Sequence, residues 1–188
     1  MKANICILLT VFCFSESSAQ GLVRFQNRGL RDPQLGIYEA LVTLPDGTRA
    51  AGPGFTAGIF LVGSGGALDL IATSPFRPAP FGGAFFPIEV SVPGIGPGLP
   101  ATFRARVWET TAGSYEGAVA SGLLHGEFPT RNPDNNILVR LGSPLGLGDV
   151  PNVDGMLPLT LVPEPSAARL TVAGFVALMI AAFLRKPS

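Results

Sequence analysis

From Ala101 to Glu109 the side chains alternate: Phe103, Ala105 and Val107 fall on one face, and Arg104, Arg106 and Trp108 on the other. A period of two is that of a β-strand with one buried face. Phe85 to Val92 repeats it, with Ile88, Val90 and Val92 inward and Glu89 and Ser91 outward. Leu22 to Asn27 carries Val23 and Phe25 on one face. Phe55 to Val62 is apolar on both faces, which suits a central strand, and Gly63 to Gly66 turns it into a hairpin partner over Leu68 to Thr73. Ile37 to Leu44 reads as a strand closed by the turn residues Pro45-Asp46-Gly47. Asn136 to Leu141 and Leu157 to Leu161 bring the total to about eight strands. The helical signal is short: Ser114 can cap Tyr115 to Ser121, Glu116 suits the first turn, and Gly122 follows the end. Ser74 to Gly83 and Pro93 to Pro100 read as Pro- and Gly-rich connections.

The fold class predicted is therefore all-β, a single sandwich-like domain over residues 20–161. The 24 Gly and 18 Pro of the 188 residues interrupt the chain too often for long helices. About 144 residues between the end segments suffice for one domain burying roughly two-thirds of its unfolded surface.

Both ends break the alternation. Met1 to Ala19 reads as a secretory signal peptide, with Lys2 as the positive start and Ile5 to Phe14 as a short apolar run. Small residues at Ser17 and Ala19 predict cleavage between Ala19 and Gln20, by signal peptidase after passage through the Sec translocon. Cys6 and Cys13 both lie in this segment, so the mature chain contains no cysteine. Disulfides, thiolate metal sites and cysteine nucleophiles are thereby excluded from it. Near the other end, Leu170 to Leu184 is apolar except for Thr171, and Arg185-Lys186 closes it. As a helix this run is about 22 Å long, short of the roughly 30 Å hydrocarbon core. It can cross a thin membrane or wait in one, with its basic end on the cytoplasmic side and the body outside. Pro163 and Pro165 bracket Glu164 and favour an extended, accessible chain just before it.

At Val162-Pro163-Glu164-Pro165-Ser166, the apolar run and the basic pair, residues 162–188 resemble the PEP-CTERM sorting signal of environmental Gram-negative bacteria. The same tail is also catalogued as an ice-binding protein C-terminal domain. The resemblance implies recognition of Pro163, Glu164 and Pro165 by an exosortase, which removes the helix. It further implies an inner-membrane intermediate, then a cell-surface or matrix destination linked to extracellular polysaccharide and biofilm. The basic cluster is thinner here than in many members of the family. The body is similar to small secreted proteins that often carry this tail. The likeness rests on Phe25 to Arg28, Asp46-Gly47, Phe55 to Ile59, Trp108-Glu109 and Tyr115 to Ala118, and it implies class and destination but no activity.

Charge narrows the chemistry. The chain is formally neutral, and Gln20 to Pro163 holds nine Arg against eleven Asp and Glu, so nucleic acid is not an expected partner. Arg104, Arg106 and Trp108 form a row that could stack on sugar rings and grip polysaccharide; a solvated face in which arginine stems cover a half-buried Trp is the alternative. One Trp and two Tyr beside nine Phe make the body's aromatic set look like core. Glu109 and Glu116 are the nearest approach to a catalytic carboxylate pair, and His125 is the sole histidine, with no Gly-x-Ser-x-Gly elbow to serve. Asn132, Asp134 and Asn136, and separately Asp149, Asn152 and Asp154-Gly155, offer oxygens of the kind calcium takes, although neither run fits the calcium-loop spacing. No catalytic residue, metal site or cofactor is therefore predicted. The expectation is a non-enzymatic structural or interaction protein, with a carbohydrate- or ice-binding adhesin as the alternative and a secreted hydrolase behind it.

Overall fold

The computed structural model describes residues 20–144 and 150–163. The signal peptide, Asp149, Glu164, Pro165 and the apolar run 170–184 lie outside the described residues. Within them the chain is mostly β with one α-helix, as the alternation predicts. The strands are β1 Gly21–Phe25, β2 Leu30–Asp32, β3 Gly36–Tyr38, β4 Val42–Thr43, β5 Phe55–Val62, β6 Leu68–Pro75, β7 Ile88–Val92 and β8 Pro100–Glu109. After the helix α1 (Tyr115–Ser121) come β9 Leu124–Glu127, β10 Ile137–Arg140, β11 Leu159–Thr160 and β12 Val162–Pro163.

The longest strand organises the large sheet. β5 runs antiparallel along one side of β8, from Phe55 opposite Glu109 to Leu61 opposite Phe103, and β6 lies beyond β5. The other side of β8 is shared: β10 pairs with its first half (Ile137 opposite Phe103) and β9 with its second (Trp108 opposite His125). β12 closes that edge, with Val162 opposite His125 and Pro163 opposite Leu124. Smaller pairs make up the rest: antiparallel β1–β7, parallel β4–β11 and the hairpin β2–β3.

One core joins these pieces. Val23, Phe25, Val42, Val90 and Val92 from the small pairs pack in a single buried cluster with Ala57, Ile59, Phe103, Ala105, Val107, Ile137 and Val139 of the large sheet. Phe85 is the hub of its aromatic part, 4.4 Å from Phe25, 5.9 Å from Phe76 and 6.4 Å from Phe128 between ring centroids.

Asn27 ties three segments together inside this core. Its Nδ2 donates to the Ala40 and Gly83 carbonyls at 2.8 Å each, and its Oδ1 accepts from the Phe85 amide at 3.2 Å. The same residue explains why Ile37 to Leu44 is not one strand. The chain bonds to Asn27 at Ala40, both through the side chain and through Ala40 N to Asn27 O at 2.9 Å, and so breaks between β3 and β4.

Two further departures have local causes. β7 begins only at Ile88, because Pro87 has no amide to donate and Phe85 turns inward to a lone bridge with Phe76. The residues after α1, for which the sequence predicts no strand, form β9. Gly122 takes φ 67 and ends the helix, and the chain is extended again within two residues. The helix itself spans the predicted residues, with Ser114 Oγ accepting from Gly117 N at 2.9 Å.

Candidate functional site

The outer face of β8 carries the Arg104–Arg106–Trp108 row, and α1 lies across part of it. Trp108 is only 2 % exposed, packed with Phe60 and Ala118, with Tyr115 and Leu123 alongside. Its indole meets Phe60 edge-on at 6.4 Å. β5 makes room for it with Gly58, where a Cβ would come within 2.6 Å of the indole. Trp108 thus has no ring face open to a sugar in this arrangement.

Both arginines are committed to neighbours. Arg106 donates from Nε to Glu127 Oε2 at 2.7 Å and from NH1 to Glu116 Oε1 at 3.3 Å. Its guanidinium lies 4.4 Å from the Tyr115 ring centroid and 5.2 Å from that of Phe60. Arg104 donates from Nε to Asn136 Oδ1 at 3.0 Å and lies 3.7 Å from the other Glu127 oxygen. The row reads as a satellite core stapled by an ion-pair network, with Glu127, which the sequence did not single out, at its centre.

The remaining catalytic candidates each contact neighbouring protein groups. Glu109 Oε2 accepts from the Leu124 amide at 3.2 Å, helping to start β9. Glu116 is the exposed partner of Arg106. His125 is buried, with Nδ1 2.8 Å from the Leu123 carbonyl and its ring edge-on to Tyr115. No group of three or more His, Cys, Asp or Glu stands ready for a metal among the described residues.

A different place gathers side chains from two of the sequence candidates. A groove of about 190 Å³ is lined by Thr130, Arg131, Asn132, Asn136, Ile137, Leu138, Asp154 and Gly155, and so joins the first Asn/Asp loop to the end of the second. Its geometry is held from behind. The Tyr38 hydroxyl donates to Met156 O at 2.8 Å and accepts from Gly155 N at 3.2 Å, pinning the 154–156 turn, where Gly155 has φ 95. On the other side Asn135 takes φ 54, a conformation Asn tolerates, and its Oδ1 accepts from Thr130 N at 3.3 Å.

The groove is not a calcium cage. Asn132 Oδ1 accepts from Asp134 N at 3.1 Å, Asn136 Oδ1 from Arg104, and Asp154 Oδ1 from Arg31 N at 3.0 Å. One oxygen of each side chain thus meets a protein donor, and the lining adds a guanidinium beside a single carboxylate. Arg131 bridges to Gln34 Oε1 at 3.0 Å and Asp32 Oδ1 at 3.1 Å. The Leu35 and Gln34 amides, with Arg131, hold the Asp32 carboxyl below its ordinary range. Burial pushes that of Asp154 up, against the bond from Arg31. Hydrogen-bonding groups beside one exposed apolar side chain, Leu138, are what this groove offers.

At the sheet edge, Leu161 is buried while Val162 and Pro163 are exposed on the outside of the fold. Gln20 is likewise exposed at the start of β1. Among the described residues no helix is long and apolar enough to cross a membrane. Compared with family models, with curated proteins and with solved structures, the chain matches none.

Proposed function

We propose that this is an exported, non-enzymatic surface or matrix protein whose C-terminal segment is a sorting signal. The observation that carries the reading is the succession Val162-Pro163-Glu164-Pro165, the apolar run Leu170 to Leu184 and Arg185-Lys186, behind a cysteine-free β body and an N-terminal secretory pattern. The body crosses by the Sec translocon and loses Met1 to Ala19 to signal peptidase. The tail then holds it in the inner membrane until an exosortase-type enzyme acts at Pro163 to Pro165, and the product joins the extracellular polysaccharide layer. Val162 and Pro163 are exposed at the sheet edge, paired with His125 and Leu124, so the motif begins on the surface at β12, where a processing enzyme can reach it. The pairing of Glu109, Glu116 and Arg106 with neighbouring protein groups favours a packing role for them over catalysis.

The sorting step is testable in the native host. Glu164→Ala combined with Pro165→Ala is expected to leave the protein in the membrane fraction with its tail uncut, while the unaltered chain leaves that fraction. Equal distribution of the two would remove the motif from the account.

A further inference from the structure

We infer that the groove between the Thr130–Leu138 segment and the Asp154 turn binds one ring of a neutral saccharide. The inference stands on the described body alone and holds whether or not the tail is processed. Its first support is the sorting of donors and acceptors. Asn132 and Asn136, both in the lining, spend their carboxamide oxygens on Asp134 N and Arg104 Nε, which leaves each Nδ2 as the group able to donate to a ligand. Asp154 spends Oδ1 on the Arg31 amide, leaving Oδ2 as an acceptor. Amide donors and a carboxylate acceptor in one lining match a pair of adjacent hydroxyls, each of which donates one hydrogen bond and accepts another.

The second support is the apolar side. Leu138 is 73 % exposed on β10, while Ile137 faces the core, so the C–H face of a ring has the Leu138 side chain to lie on. Size sets the extent. About 190 Å³ is below the range of about 300–1,000 Å³ usual for drug-sized ligands, which suits one ring with the rest of a chain running out into solvent.

Charge sets the class. Arg131 is ion-paired with Asp32 and bonded to Gln34, so the cation of the lining is already offset and adds little pull on a phosphate or carboxylate. A uronic acid would bring its carboxylate towards Asp154 and be repelled. Arg104 acts through Asn136, whose carboxamide it orients, and so links the β8 row to this groove as a positioning residue.

The test is isothermal titration of the intact exported protein with neutral gluco-, galacto- and manno-oligosaccharides, and with oligogalacturonate. At least one neutral series should bind, with a dissociation constant on the order of 1 mM for a shallow site with few hydrogen bonds. Asp154→Asn should weaken it about tenfold, since a charge-assisted bond becomes a neutral one. Leu138→Ser, on an exposed position that folding does not depend on, should weaken it about threefold or more. Leu35→Ser, an exposed residue outside the groove lining, should leave it unchanged. Tighter binding of oligogalacturonate, unchanged affinity in both groove variants, or no binding of any neutral series at tens of millimolar would each overturn the inference.

Discussion

Phe85→Ala should lower the unfolding free energy by about 3–5 kcal/mol, the range for emptying a fully buried aromatic site. The residue is 1 % exposed and touches Phe25, Phe76 and Phe128, rings contributed by three separate stretches of the chain. Those rings are themselves buried, in β1 or directly after β6 and β9, which limits how far they can close over the space it leaves. Urea unfolding should show a lower midpoint at an unchanged slope, and Phe85→Leu should recover most of the loss. A loss below about 1 kcal/mol for the Ala variant would mean the aromatic hub does not hold the two sides together.

The second large effect belongs to a polar side chain. Asn27→Ala removes three hydrogen bonds and leaves the Ala40 and Gly83 carbonyls and the Phe85 amide buried without that partner. The Gly83 carbonyl keeps its bond from the Val42 amide, so two groups are orphaned, and at about 1–3 kcal/mol for each a total loss of about 2–6 kcal/mol is expected. Asn27→Asp is the sharper variant, because it sets a carboxylate against two carbonyl oxygens. Burial and these neighbours would raise its pKa in the folded state above the unfolded value. The folded form then binds the extra proton, so this variant should regain stability as pH falls, towards and below the raised pKa, and lose it as pH rises. Denaturant midpoints measured across pH 4 to 8 would show the slope, and a flat profile would contradict the keystone role.

Where alternation was long, the sequence was legible. β8, β5 and α1 came out at or within a residue of their predicted bounds, since each declares itself through periodicity or capping within its own residues. What stayed hidden depended on partners far along the chain. The break between β3 and β4 is made by Asn27, and β9 is a strand because β8 and β12 flank it. β12 is two residues long and has no pattern of its own. The same reason governs the candidate site. Arg104, Arg106 and Trp108 share a face as alternation requires, but what covers Trp108 is a helix whose docking no local pattern announces. The groove was visible only as two separate Asn/Asp runs; that Asn132, Asn136 and Asp154 line one space is a fact of topology. Arg131 and Leu138 were passed over because an exposed arginine or leucine is ordinary at any surface.

The destination of the protein rests on its two end segments being read by the export machinery and then lost. Intact mass spectrometry of the protein recovered from the cell surface or medium addresses this directly. A polypeptide beginning at Gln20 and lacking the apolar run Leu170 to Leu184 is the result the account predicts. Recovery of surface material that still ends at Ser188 would contradict it.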